Sequence, residues 1–443
     1  MTFMSSVMFA RSLIFPKSDR NSSARRSLFG ALVCIGLSLV PLVVVMTVTD
    51  GMIGGMTERI IGLSSGHLQA YIRRGCVHVG TPDSFRRFAD GFTVTDGIIS
   101  AYPEIDLSAL AAGKDVRTGA QIRAVVPEIF SANGDFRRLF TVTAGSVDAF
   151  PGGGTERTAV IGQKMAENLS LSPGDTFRII TTRNSGGRIT PRLSSFKVAA
   201  VVSSGYQELD ALWIFVPLGA AYSSLALDSA EFTVMLGTAD AFSPELSRIR
   251  DDTAEYAGNF ANIYRWDEVH RSEFENFSST RVMLVFVMIL IVLVASVNVS
   301  SAVVMLVMER RREISVLKSI GGTPSGITLS FILAGTACGL GGVAAGIPAG
   351  LLCAVNINTL VSLTERLVNS AAGVLRLLSG GSWSPDVIRL MDPAYYLAEI
   401  PVVVSPSRIM LIAVLTLFLS FAASVLPSVK AGREKPIDIL RKS

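Results

Sequence analysis

Charge is scarce in this chain: Asp, Glu, Lys and Arg supply only 17% of its 443 residues, against 49% hydrophobic ones. With a mean hydropathy of +0.47, that poverty argues for membrane spans rather than two or three soluble domains. A net charge of +4 is too small to suggest a nucleic-acid partner. Cysteine is rare as well. Cys34, Cys338 and Cys353 lie in apolar blocks, and Cys76 is alone in the large polar region, which therefore cannot close an internal disulfide. No G-x-x-x-x-G-K-[ST] occurs, so there is no P-loop for a nucleotide. Gly62-Leu63-Ser64-Ser65-Gly66 matches G-x-S-x-G, but that elbow needs a strand before the serine and a helix after it. Here it follows an apolar helix and precedes a strand. His67, Cys76 and His78 fit no standard zinc spacing and lack an evident fourth ligand. The expectation is a non-catalytic chain with no metal and no cofactor of its own.

What is present is four long apolar blocks, and they predict spans at 27–48, 281–308, 326–355 and 408–427. The first follows Arg11, Lys17, Arg20, Arg25 and Arg26 but is too long for a signal-peptide core. No small-x-small cleavage site ends it, so it reads as a retained anchor with Pro41 as a potential kink. The second overshoots the bilayer and predicts a projecting stalk. Basic residues cluster in the tail 1–26, in the segment 309–325 and in the tail 428–443; four spans put all three on one side, which places both termini in the cytoplasm. The segment 49–280 is then one outer domain, and 356–407 a smaller outer loop. Span centres hold no charge, which argues against an ion-coupled carrier or a hydrophilic pore.

The outer domain reads as mixed α+β. Strand signals fall at His67–Ile72, Thr176–Ile180, Phe196–Val202 and Leu212–Val216, with a strand, helix, turn and strand from Val160 to Asp175. Ser243-Pro244-Glu245 reads as a helix start. Thr181–Ser195 reads as a polar loop, either a solvated hairpin or a docking element for a soluble partner.

The segment from Glu309 to Pro324 carries the mechanical signal. Ile314, Leu317 and Ile320 repeat at helical spacing beside Arg310, Arg311, Glu313 and Lys318, and Gly321-Gly322 then Thr323-Pro324 end one helix and start the next. Such an amphipathic element suits coupling to a partner that moves it, and equally suits a basic loop resting on anionic lipid. Gly342, Gly346 and Gly350 form a small-xxx-small face for helix packing within the chain or against a second permease, while Ser296, Asn298, Ser300 and Ser301 predict hydrogen bonds to neighbouring helices.

The run Arg310-Arg311-Arg312-Glu313-Ile314-Ser315-Val316-Leu317-Lys318-Ser319-Ile320-Gly321-Gly322 resembles the coupling helix of the MacB/FtsX superfamily of ABC transporter permeases. Leu426-Pro427-Ser428-Val429-Lys430-Ala431-Gly432-Arg433, with Pro436-Ile437-Asp438-Ile439-Leu440-Arg441, resembles its C-terminal signature, and Val48-Thr49-Asp50-Gly51-Met52 its exit from the first span. Tyr395–Val402 and Ser203–Asp210 resemble the lipoprotein-releasing (Lol) branch. The resemblance implies a polytopic α-helical protein of the bacterial inner membrane with a MacB-like α+β outer domain. It also implies a cytoplasmic ABC ATPase dimer carrying ATP and Mg, a second permease subunit, identical or paralogous, a lipoprotein substrate and a periplasmic carrier. The hook that recruits a carrier in one Lol subunit has no clear counterpart in Thr181–Ser195. Val40, Val43, Val44 and Met46 of the first span, with Met283, Phe286, Val287 and Leu290 of the second, are the candidate lining of a lipid-open substrate cavity. A mechanotransmitter that moves no cargo is the competing reading.

Overall fold

The computed structural model describes residues 8, 10, 23–114, 116–150, 156–185, 188–379 and 401–433. Contacts divide the chain into a unit of apolar helices and a unit formed by the segment between the first two.

In the helical unit the candidate spans lie within Ser23–Ile60, Arg271–Glu309, Pro324–Val355 and Pro406–Arg433. Three helices outrun their expected spans. The first continues beyond Val48 because Met52, Ile53, Met56 and Ile60 keep a buried stripe at helical spacing, and it closes in a π-helical turn, Ile61–Ser65. The second begins at Arg271, where Arg271 pairs with Glu275 one turn on. The fourth passes through Pro427 to Arg433. The expected outer loop at 356–407 opens instead as a helix, Ile357–Ser379. Leu360, Leu363 and Leu367 recur there on one exposed stripe, a period that a reading by block length overlooks. Tyr395–Ile400, Pro436–Arg441 and the tail before Ser23, apart from residues 8 and 10, fall outside the described residues.

Glycine makes the third span the least hydropathic of the four, and it is also what lets that span sit close to two others. Gly335 and Gly339 face Ser424 and Ser420 of the fourth span, where an added Cβ would lie 2.6 and 2.7 Å from the serine Cβ atoms. Gly342, Gly346 and Gly350 face the first span: a Cβ on Gly346 would lie 2.7 Å from the Gly36 carbonyl oxygen, and one on Gly350 2.7 Å from the Val43 Cβ. Backbones approach this closely only without side chains between them. Span hydroxyls are satisfied locally, as Ser330 donates to Gly326 O, Thr416 to Ile412 O and Ser428 to Ser424 O. The second-span serines do the same, Ser296 bonding Leu293 O and Ser301 bonding Val297 O, rather than reaching a neighbour as the sequence suggested. Only Asn298 of that group has a described bond to another helix, to Cys34 Sγ.

Asp50 ties three of these helices together. Its carboxylate, 9% exposed, lies 2.6 Å from Arg408 Nη1 and 3.7 Å from Arg281 Nε. Asp50→Ala leaves two arginines facing one another, and a loss of about 2 kcal/mol is expected after discounting for their part-exposed positions. Thermal unfolding of Asp50→Ala, Arg408→Met and the double variant measures it; strict additivity would dissolve the pair.

The second unit is a ten-stranded sheet of β1 (Leu68–Ile72), β2 (Ser100–Ala112), β3 (Arg117–Val125), β4 (Thr141–Gly145), β5 (Thr158–Gly162), β6 (Thr176–Ser185), β7 (Arg188–Ser203), β8 (Trp213–Pro217), β9 (Glu231–Gly237) and β10 (Ala261–Arg265). Its order is β10-β1-β9-β2-β3-β8-β5-β7-β4, with β6 pairing both β2 and β7. Of the two readings of Thr181–Ser195, the hairpin holds. β6 and β7 run through it in register from Thr176↔Lys197 to Ser185↔Arg188. The helix expected at Ser243 starts at Leu246, and Ser243 Oγ accepts from the Glu245 amide ahead of it.

Alternation in the strands splits the sheet into two faces. Leu68, Ala70, Ile105, Leu107, Ile122, Val234 and Leu236 fill the larger core on one face. The other face carries a smaller aromatic core, in which Phe136, Phe140, Phe215 and Trp213 meet edge to face, and beside it a set of polar residues. Among these Arg123, 2% exposed, makes a two-pronged ion pair with Glu104, 1% exposed. The guanidinium also donates to Leu63 O and lies 4.6 Å over the Trp213 ring.

Candidate functional site

The short basic helix runs from Arg311 to Ser319, joined to the second span through Arg310 and to the third by a tight reversal. Gly321, at φ +99°, makes that reversal, which a side chain would strain. Thr323 then caps the third span through the Gly326 amide, with Pro324 in its first turn.

Ile314 is fully buried, in one cluster with Leu306, Val307, Ile327, Phe331 and Ala431, and Ser315 is buried beside it. Lys318 Nζ donates to Gly432 O, 2.8 Å away, at the C-terminal end of the fourth span. A cation suits that helix end because its last carbonyls lack amide partners. Arg310 pairs with Glu313. Gly432 is itself constrained: an added Cβ would lie 2.9 Å from Pro324 O and collide with Thr328. The ends of the short helix, the third span and the fourth span therefore meet at one junction.

This geometry divides the predicted coupling residues. Ile314 and Lys318 hold the helix in its seat and Leu317 is half-buried; Arg311 is exposed at the helix start, whereas Glu313 faces outward together with Arg312, Val316 and Ile320, the last two 53% and 81% exposed. By spacing alone Ile320 belongs with Ile314. Six residues turn the helix about 240°, and the helix ends at Ser319, so Ile320 projects away. The role of Gly432 had no signal beyond its place in the C-terminal motif.

The predicted cavity lining separates as well. Met283, Phe286, Val287 and Leu290 lie on an exposed apolar face of the second span that continues through Leu293, Val294 and Val297. Val43 and Met46, by contrast, are 1% and 7% exposed and belong to the helix core, Val43 because Gly350 admits it; Val40 and Val44 are half-buried. His67 and His78 are occupied apart from one another, His67 Nδ1 with Thr238 and the His78 ring stacked on Phe88. Ser203–Asp210 forms a turn held by Asp210, which accepts from both Ser203 and Ser204, while Arg59 donates to Ser204 O at 2.5 Å. Burial pushes the Asp210 carboxyl up from its ordinary range, and those hydrogen bonds oppose the push.

Two family models match. Residues 28–248 fit the MacB-like periplasmic core domain and residues 285–436 the FtsX-like permease C-terminal domain. The lipoprotein-releasing system transmembrane protein LolC of Neisseria meningitidis serogroup B is 25% identical over 92% of each chain. LolC of Xylella fastidiosa strain Temecula1 is 22% identical over 92% of each, and LolE of Haemophilus influenzae 24% over 63% of this chain and 64% of that one. The solved periplasmic region of MacB from Actinobacillus actinomycetemcomitans matches 49% of this chain and 95% of its own at 13% identity and a TM-score of 0.30. With its four apolar helices, its interposed α+β domain and these two adjoining matches, the chain belongs to the MacB/FtsX superfamily of ABC transporter permeases and is a multi-pass inner-membrane protein.

Proposed function

We propose that this permease releases lipoproteins from the inner membrane towards a periplasmic carrier, driven by a separate cytoplasmic ABC ATPase dimer and paired with a second permease subunit. One observation carries the reading: a short basic helix is seated in the bundle by Ile314 and Lys318 while its opposite face, Arg312, Glu313 and Val316, with Ile320 just beyond its end, is left exposed. Such an element transmits a push to the spans without unfolding. Both termini and this helix lie on the cytoplasmic side, in keeping with their basic residues. ATP and Mg stay on the partner chain.

The cargo sets the demand on the membrane face. Burying acyl chains contributes about 0.8 kcal/mol per CH₂, so a lipid anchor must be sheltered throughout extraction. The exposed stripe of Met283, Phe286, Val287 and Leu290 suits that shelter. The relatives' names favour release over a mechanotransmitter that moves no cargo.

Depletion of the chain followed by membrane fractionation tests the function: lipoproteins should accumulate in the inner membrane, and undisturbed delivery to the outer membrane would refute it. The Val316→Glu/Ile320→Glu pair tests the coupling face. Recovery of the ATPase with the purified permease should fall about tenfold, while thermal stability stays within about 0.5 kcal/mol because both positions are exposed. Undiminished ATPase recovery would move the contact elsewhere.

A further inference from the structure

The polar residues on the second face of the sheet line a cavity of about 320 Å³, open to solvent on the side of Ser108, Ser229 and Glu231, that the proposed release activity does not use. Strand alternation builds it. Gln69 and Tyr71 of β1, Asp106 of β2, Gln121 of β3 and Glu231 of β9 line it, and His270 closes it just before the second span's helix. Asp106 stands opposite Arg123 on β3 and opposite Glu231 on β9.

The cavity's chemistry is one-sided. Arg123 is committed to Glu104 and to the Leu63 carbonyl, and the cavity lining itself contains no lysine or arginine. Neither Asp106 nor Glu231 forms an ion pair among the described residues, although Asp106 feels the Arg123 charge across the strand pair; its one side-chain hydrogen bond is from the Gln121 amide, at 3.0 Å. Gln69, 4% exposed as a residue, lines the cavity, and its side-chain amide opens onto it without a protein partner among the described residues. His270 Nε2 is buried and has no hydrogen-bond partner. Buried imidazole nitrogens are ordinarily paired, so an idle one beside an amide that opens on the same cavity marks a place where something binds. Burial keeps the His270 imidazole towards its neutral form, so that Nε2 can accept, and pushes the Tyr71 phenol up to about 12, so that it stays uncharged.

The geometry points to a binding site for an organic cation, an ammonium or guanidinium group, with Asp106 and Glu231 as counter-charges and Gln69, Tyr71 and His270 as acceptors of its hydrogen bonds. The volume is about ten times a water's share of the liquid, room for a whole guanidinium or alkylammonium head and its stem rather than a bare metal ion. Among the described residues no group of three metal-ligating side chains occurs. Ser64, at the end of the first span's helix, and His270, immediately before the second's, both line the cavity, so an occupant touches both points where the chain enters and leaves the domain.

Burial and the neighbouring Glu104 and Glu231 push the Asp106 carboxyl up to about 7, against the pull of Arg123 and Gln121. A cation prefers the ionised carboxylate, so affinity should rise as the pH passes upward through about 7 and fall below it.

The experiment is calorimetric titration of the full chain in nanodiscs with two probes, agmatine and an end-blocked Gly-Arg-Gly peptide. Saturable binding with Kd near or below about 1 mM is expected for at least one. It should weaken about tenfold in Asp106→Asn, which keeps the side chain's size, and in Glu231→Gln, with the pH dependence lost in the first. Tighter binding of the peptide assigns the cation to a polypeptide side chain, and tighter agmatine binding to a free amine; both support the site. No saturable binding of either probe, or binding that both variants leave unchanged, overturns it.

Discussion

Replacing Gly346 by valine is expected to cost about 3 kcal/mol and to sharply reduce the yield of folded permease. A Cβ there would come 2.7 Å from the Gly36 carbonyl oxygen, 2.9 Å from the Leu39 Cβ and 3.0 Å from the Gly36 Cα. Two of those three atoms are backbone, so relief requires the first and third spans to part, and parting them undoes Gly342 and Gly350 as well. Gly36→Ala is the matched control. It sits in the same contact, but its added Cβ would lie 3.6 Å from the Gly342 oxygen, an ordinary separation. Thermal unfolding in detergent should show a large fall for Gly346→Val and little change for Gly36→Ala. Equal effects would mean that helix propensity, not contact, governs the seam.

Glu104→Gln should damage the α+β domain more than any surface change. It strands Arg123, 2% exposed, without its counter-charge, a loss of about 3–5 kcal/mol. The double variant Glu104→Leu/Arg123→Met removes both charges and lets the face pack as hydrocarbon against Trp213 and Phe215, so it should recover most of that loss. Asp106 tolerates losing Arg123 because its carboxyl is already raised to about 7 and takes a proton readily. Unfolding midpoints of the two variants decide the matter: a double variant as unstable as Glu104→Gln would mean that the loss arises from packing alone.

Some of this architecture is legible in the residues. Span positions follow from uninterrupted apolar length, and the small-residue spacing of the third span marks a face that must lie against something. What sequence could not reveal is which face meets what. Ile314, Leu317 and Ile320 look equivalent until the helix end is located, and Val43 looks like Val40 until Gly350 is found against it. Thr181–Ser195 is legible as a hairpin but not in its extent: Gly, Arg and Ser suggest a long polar loop, whereas β6 pairs with β7 from Thr176↔Lys197 to Ser185↔Arg188, through backbone hydrogen bonds that composition does not register. β2 and β3 escaped notice for a related reason. Their second-face positions hold Glu104, Asp106, Gln121 and Arg123, and charge on a buried strand hides its apolar alternation.

The third-span seam also limits how this chain can diverge. Any residue that replaces glycine brings a Cβ, so Gly342, Gly346 and Gly350 have no neighbouring substitution that the present first span would accept unaltered. Change at those sites must be concerted, with Ile35, Leu39 or Val43 shrinking in the same lineage before the glycine enlarges.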